Sequence, residues 1–243
     1  DLQRKINMDE ANPISSPMVG GCRLTKSGYE PFHDPTLSRS IVGALQYATI
    51  TRPEISFSVN KVCQYMSDPS EQHWAAVKRI LRYLAGTINF GLKFLPSSTG
   101  PPFELHAYCD ADWVSDPDDR RTTSGAAIFF GPNLVSWWSK KQSVVARSST
   151  EAKYCILALA TVEVTWIKSL LSELHIPHHS PVIICDNLST VAFAHNLVMH
   201  SRMKHMELEK VMAKQLQVVH VPAIDQKADI LTKALTPANF ATY

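Results

Sequence analysis

The chain has 243 residues, 45% hydrophobic and 19% charged, with a formal net charge of +2. That is ordinary globular composition, with apolar side chains enough for one or two domains, and too little charge to imply a nucleic-acid partner by itself. The prolines are scattered, no apolar run approaches the ~18 residues of a membrane span, and Asp1-Leu2-Gln3-Arg4-Lys5 offers neither a start Met nor an apolar signal core; collagen-like, low-complexity, membrane-spanning and secreted readings fall away, and the chain reads as beginning inside a longer reading frame.

In chain order, Asp34-Pro35-Thr36 leads into an apolar stretch, Ser38 to Ala48, and Thr51-Arg52-Pro53-Glu54 starts a second helix with Pro in its first turn. Asp68-Pro69-Ser70-Glu71 starts a third, with Gly86 placed to stop it. Trp74, Val77, Leu81 and Leu84 share one face of that helix, and Lys78, Arg79 and Arg82 lie off it; the three cations suit a solvated face or a phosphate-contacting one. Pro96-Ser97-Ser98-Thr99-Gly100-Pro101-Pro102 is the clearest break and reads as a linker. Beyond it the rhythm changes. Leu105 to Cys109, Gly125 to Phe130 and Leu134 to Trp138 read as strands, the last two around Gly131-Pro132-Asn133. Thr150 to Leu174 reads as a helix with a break near Thr161. Pro181 to Cys185 reads as a strand, Ser189 to Asn196 as a short helix, Leu216 to Val221 as a strand and Asp225 to Ala234 as a final helix. This order predicts a mixed α/β sheet flanked by helices, preceded by a mostly helical region.

Two carboxylates, Asp110 and Asp186, directly follow apolar β runs, each after a Cys. A charge at the end of a buried strand is costly unless paired or metal-bound. Glu151 stands in the first turn of a helix after Ser148-Ser149-Thr150, and Asp229 on the last helix. Singly, Glu151 reads as a helix-dipole partner and Asp229 as part of a solvated face. Together the four suit hard divalent cations, which prefer oxygen ligands; two such ions roughly 3.5–4 Å apart can activate a water and stabilise the leaving oxygen of a phosphodiester. Asp112 is a secondary candidate, with a role in its surface loop favoured.

Residues 103–237 resemble the ribonuclease H domain of copia-type LTR retrotransposon polyproteins. The strings that carry this are Tyr108-Cys109-Asp110-Ala111-Asp112-Trp113, Arg121-Thr122-Thr123-Ser124-Gly125, Trp138-Ser139-Lys140-Lys141-Gln142, Ser148-Ser149-Thr150-Glu151-Ala152, Cys185-Asp186-Asn187, Lys204-His205-Met206-Glu207, His220-Val221-Pro222 and Ala228-Asp229-Ile230-Leu231-Thr232-Lys233, in that order. Residues 12–95 are similar to the segment after the reverse-transcriptase palm, through Pro13-Ile14-Ser15-Ser16-Pro17-Met18, Arg39-Ser40-Ile41-Val42-Gly43-Ala44-Leu45, Thr51-Arg52-Pro53-Glu54-Ile55 and Lys78-Arg79-Ile80-Leu81-Arg82-Tyr83-Leu84. The division implied is a thumb or connection region at 1–95, a linker at 96–102, a ribonuclease H-like domain at 103–237 and a tail at 238–243.

The resemblance implies hydrolysis of the RNA strand of RNA–DNA hybrids, with Asp110, Glu151, Asp186 and Asp229 holding two Mg²⁺ ions, Mn²⁺ being a substitute. The alternative is a catalytically degenerate nucleic-acid-binding relic. The Tyr-x-Asp-Asp turn of the family's polymerase does not occur, so no DNA synthesis is expected of this fragment. The implied partners are the hybrid and the rest of the polyprotein (reverse-transcriptase palm and integrase); no membrane is implied. An intracellular setting is expected, cytoplasmic in a virus-like particle or nuclear. Cysteines at 22, 63, 109, 155 and 185, odd in number and without a C-x-x-C pair, agree with reduced thiols.

Lys140, Lys141 and Arg147 are candidates to contact the nucleic-acid backbone, with β-edge protection as the plain alternative. Arg120 and Arg121 suit local ion pairs with Asp116, Asp118 and Asp119. Trp137 and Trp138 face opposite sides of a strand, one of them into the core. Asn187 suits either a 2′-hydroxyl contact or an Asx turn. His195, His200 and His205 recur every five residues, about 140° apart on a helix, which argues against zinc. Two departures from the family stand out. Lys153 replaces a second Glu; being two steps from Glu151 it is expected to face elsewhere, with a modest effect on chemistry. The segment 208–215 before the last strand is roughly two helical turns shorter than expected and could misplace Asp229.

Overall fold

The computed structural model describes residues 6, 8, 11–97, 100–195 and 215–242. The segment from Lys204 to Glu207, the shortened connection at 208–214, and His200 and His205 lie outside the described residues.

The first region is helical: α1 (Pro35–Ala48), a 3-10 turn (Pro53–Ile55) running into α2 (Ser56–Cys63), and α3 (Glu71–Gly86). Asp34 caps α1 by accepting the Leu37 N–H at 2.9 Å. At α3 the Ser70 hydroxyl accepts the His73 N–H while His73 Nδ1 accepts the Ser70 N–H at 3.0 Å, so a His takes the place of the Glu or Gln of a capping box. Trp74, Val77 and Leu81 are buried with Ile41, Leu45, Ile55 and Ile80, and Leu84 packs against them. Gly86 does not end α3 through a left-handed conformation. It lets Pro13 pass: a Cβ there would stand 2.7 Å from the Pro13 Cβ.

The second region is one five-stranded sheet in the order β3-β2-β1-β4-β5, formed by β1 (Leu105–Asp112), β2 (Thr123–Phe130), β3 (Asn133–Lys141), β4 (Val182–Cys185) and β5 (Gln217–His220). β2 runs antiparallel to β1 and β3; β4 runs parallel to β1 and β5. The mixed sheet flanked by helices, after a helical region, is the ribonuclease H-like arrangement expected. α4 (Ser149–Glu173) crosses between β3 and β4 and packs on β1; α5 (Leu188–Ala194) follows β4. The core joins Leu105, Ala107, Cys109, Ile128 and Ile183 of the sheet to Ile156, Leu157, Ala160, Val164 and Ile167 of α4. α4 is long and apolar enough to cross a membrane by composition alone, but one of its faces is committed to this core. It is not broken at Thr161: the buried hydroxyl donates to the Leu157 carbonyl at 2.9 Å, which satisfies it within the helix.

The final helix expected from Asp225 to Ala234 is instead two 3-10 turns, Ala223–Asp225 and Lys227–Leu231. Gln226 separates them with an extended backbone. Its buried side chain donates to the Cys109 carbonyl at 3.1 Å and accepts the Ala228 N–H, pinning the second turn to β1. A short helix, α6 (Pro237–Phe240), brings Phe240 edge-on to Tyr83, ring centroids 5.5 Å apart. The helical region meets the sheet along β3. Trp137 Nε1 donates to the Thr49 carbonyl at 2.9 Å while Trp138 packs on the sheet core.

Candidate carboxylate site

β1 and β4 are adjacent and parallel, with Tyr108 beside Ile184, so Asp110 within β1 and Asp186 just past β4 lie at the same end of the sheet. Asp229 reaches that end on the 3-10 turn. Gly125 of β2 makes room for it: a Cβ there would lie 2.6 Å from the Leu231 Cβ and 3.1 Å from the Thr232 Cγ2. Asp229 thereby lies beside Asp110 and shares Lys233 with it.

Three carboxylates and two ammonium groups share the site. Lys153 Nζ lies 3.1 Å from Asp110 Oδ1 and contacts Asp186 Oδ1. Lys233 Nζ lies 3.3 Å from Asp110 Oδ2 and 2.9 Å from Asp229 Oδ1. The Thr232 hydroxyl also donates to Asp110 Oδ2. Asp110 is fully buried and the Lys153 side chain 13% exposed. Asp110 Oδ1 takes no directed hydrogen bond among the described residues, so its neutralisation there is the Lys153 charge.

The electrostatics follow from this crowding. Burial works against the Asp110 charge, but Lys233, Lys153 and the Thr232 hydroxyl outweigh it and hold its pKa below the usual carboxylate range. Burial and the Asp110 charge push Asp229 up to about 6 against the pull of Lys233. Burial also raises Asp112. Both lysines are desolvated, yet the carboxylates they touch lift them above the ordinary lysine value.

Glu151 does not join the cluster through any contact among the described residues. Its carboxylate accepts the Arg147 N–H at 2.7 Å, and its own N–H donates to the Ser148 hydroxyl, so it closes the start of α4. Lys153, expected to face elsewhere, is the α4 residue that enters the site. Lys153, Leu157, Ala160, Val164, Ile167 and Leu171 follow 4- and 3-residue steps along α4, and the five apolar members are buried. Lys153 continues that inward stripe, and Glu151 falls outside it. Among the described residues, no three acids, His or Cys are arranged to hold a metal ion.

The basic candidates divide. Arg79 donates to the Ser16 hydroxyl and Arg82 to the Asn12 carbonyl, so both bind the chain's own N-terminal segment rather than present a phosphate-contacting face. Lys78 is exposed. Lys141 is taken up by Asp116 and Asp119 at 2.9 and 2.8 Å. Lys140 is exposed beside the Trp138 ring, in register with Ser124 and, through it, Ala111 of β1. Arg147 is exposed in the loop before α4. Arg121 pairs with Asp119, as expected. The Asn187 side chain accepts the Thr190 N–H at 2.8 Å and caps α5. His195 Nε2 meets the Val218 carbonyl.

The chain is 46% identical over 250 residues to the retrovirus-related Pol polyprotein from transposon RE2 of Arabidopsis thaliana, an alignment covering 100% of this chain and 17% of that protein. It is 34% identical to the Pol polyprotein from transposon TNT 1-94 of Nicotiana tabacum, over 97% of this chain and 18% of that protein. The chain belongs to the copia-type Pol polyproteins. No family model matches it. Among solved structures, a ribonuclease H1 isolated from compost overlays 53% of this chain and 92% of its own, with a TM-score of 0.42 and 16% identity. This Pol polyprotein segment spans about a sixth of the length of the curated relatives just described.

Proposed function

We propose that this chain is the region of a retrotransposon Pol polyprotein that takes an RNA–DNA hybrid against its ribonuclease H-type sheet. The observation that carries this reading is the gathering of Asp110, Asp186 and Asp229, from three elements distant in sequence, at one end of the sheet. Burying charge at this density opposes folding, and perturbed carboxylates such as Asp110 and Asp229 concentrate at functional sites. Lys140 and Arg147 stand exposed as the phosphate contacts. The reverse-transcriptase palm and integrase are the partners when the polyprotein is made as one chain.

Hydrolysis of the RNA strand through two divalent cations is the reaction a four-carboxylate cluster would serve. The donor set here does not fit two such ions. Asp110 carries an ammonium group on each oxygen, Asp186 and Asp229 each carry one, and Glu151 is spent on its own helix start. The chain is therefore read as a hybrid-binding segment without cation-dependent cleavage. Cleavage is the second reading, favoured by three of the four expected carboxylates sharing one site. Anisotropy of a labelled hybrid titrated with the full chain tests the first, with the RNA strand followed for cutting in Mg²⁺ and Asp186→Asn run in parallel. Expected are saturable binding that weakens with salt and an intact RNA strand. Failure to bind overturns the proposal; cutting that disappears in Asp186→Asn establishes the second reading.

A further inference from the structure

Lys153 and Lys233 are not equivalent. Lys233 is 33% exposed and lies four residues after Asp229 on a short turn, with an open path to solvent. Lys153 is 13% exposed and rises from the first turns of a 25-residue helix packed on β1. Its ammonium group bridges carboxylates from two neighbouring parallel strands, Asp110 of β1 and Asp186 beyond β4. A cation bound between those strand ends would need the same oxygens.

We propose that Lys153 is a tethered counter-cation, which holds Asp110 and Asp186 together in place of a divalent metal ion and keeps the segment bound to hybrid but unable to cut it. This rests on the hybrid-binding reading above. A Mg²⁺ ion takes oxygens at about 2.0–2.1 Å in near-octahedral order. An ammonium nitrogen 3.1 Å from Asp110 Oδ1 occupies that room and repels the incoming charge. The replacement is also sufficient for the fold, because it supplies the positive charge that a buried strand-end carboxylate requires. Glu151 cannot restore the missing negative charge, being held by the Arg147 N–H on another face of α4. The block between Asp110 and Asp186 is thus one side chain; Lys233, on the other Asp110 oxygen and on Asp229, is a third exposed and has solvent to move into.

The test uses the full chain as wild type, Lys153→Glu and Lys153→Gln. Each is titrated with Mn²⁺ alone, followed by calorimetry and by the shift in melting temperature, and separately with labelled hybrid. The wild type is expected to melt at the same temperature with and without Mn²⁺. Lys153→Glu is expected to bind Mn²⁺ at least on the order of tenfold more tightly than wild type, with a saturable rise in melting temperature. It should also gain RNA cutting in the hybrid. Lys153→Gln removes the charge without adding one, and should gain weaker Mn²⁺ binding; it serves where the Glu variant does not fold. Mn²⁺ bound by the wild type as tightly as by the variants overturns the proposal, as does a folded Lys153→Glu that takes up no Mn²⁺. The Mn²⁺ titration needs no hybrid, so failure of hybrid binding in every chain tells against the proposed function and not against the counter-cation.

Discussion

Two buried aspartates, Asp110 and Asp116, each meet two lysines, and their surroundings differ in kind. Asp116 receives Lys61 of α2 at 3.1 Å and Lys141 of β3 at 2.9 Å, and one of its oxygens accepts the Asp118 and Asp119 N–H groups. Burial opposes its charge, but Lys141 and Lys61 outweigh burial and leave its pKa far below the ordinary range. Asp110 also has two lysines, but shares them with Asp186 and Asp229, and Asp229 titrates upward. The first cluster has its charges matched and staples the helical region to the sheet. The second holds more carboxylate than ammonium charge, which stability alone does not favour, and stands where nucleic-acid chemistry is expected. Matched charge marks a structural tie here; surplus charge marks the candidate site.

The contrast breaks first at Lys61. Removing one partner of a buried ion pair costs roughly 3–5 kcal/mol. Because Lys141 remains, Lys61→Ala is expected at about 3 kcal/mol in urea unfolding; a loss below about 1 kcal/mol would show that the Asp116 cluster does not staple the regions. Next is Gly125→Ala, whose Cβ would collide with Leu231. Overpacking of this kind costs about 1–3 kcal/mol, and the displaced turn should also weaken hybrid binding, whereas an unchanged melting temperature would mean the turn is not seated by that close approach.

The two aspartates also predict opposite responses to pH. The folded pKa of Asp229, about 6, lies above its ordinary 3.8. Between those values the native state holds more protons than the unfolded chain, so this residue adds stability as pH falls through the folded pKa, on the order of 2 kcal/mol. Asp116 is lowered, so its contribution is present above the unfolded pKa and is lost as pH falls below it. Urea midpoints measured across this range should show the rise vanish in Asp229→Asn while the acid loss persists. The smallest effect is Trp137→Phe, which removes the donor to the Thr49 carbonyl and should cost about 1 kcal/mol at the seam between the regions.

Most elements were legible because their signals are local. Asp34 and Ser70 announced α1 and α3 as helix starts, and the apolar runs at 105–109, 125–130 and 134–138 lie inside β1, β2 and β3. The last helix differs from expectation because Gln226 suits a helix until its side chain finds the Cys109 carbonyl, a partner 117 positions away. Lys153 departs from expectation for a different reason. Glu151 and Lys153 lie on different faces of α4, as their spacing implies, but the inward face belongs to Lys153. The steps from Lys153 through Leu157, Ala160 and Val164 carried the correct answer. Thr232 and Lys233 lay in a recognised string beside Asp229, yet their hold on Asp110 depends on the turn that Gly125 admits.

By itself, the sequence determined the order of the five strands and of the helices through α5, and the presence of Asp110, Asp186 and Asp229 where acids are costly. These rest on periodicity, capping and turn chemistry, which act over a few residues. Only the tertiary structure decided which side chain of α4 enters the site, that Arg79 and Arg82 are consumed by the N-terminal segment, and that β3 is the seam with the helical region. Those outcomes depend on contacts between residues far apart in the chain. A charge becomes a structural tie or a functional surplus according to the neighbours that packing brings to it.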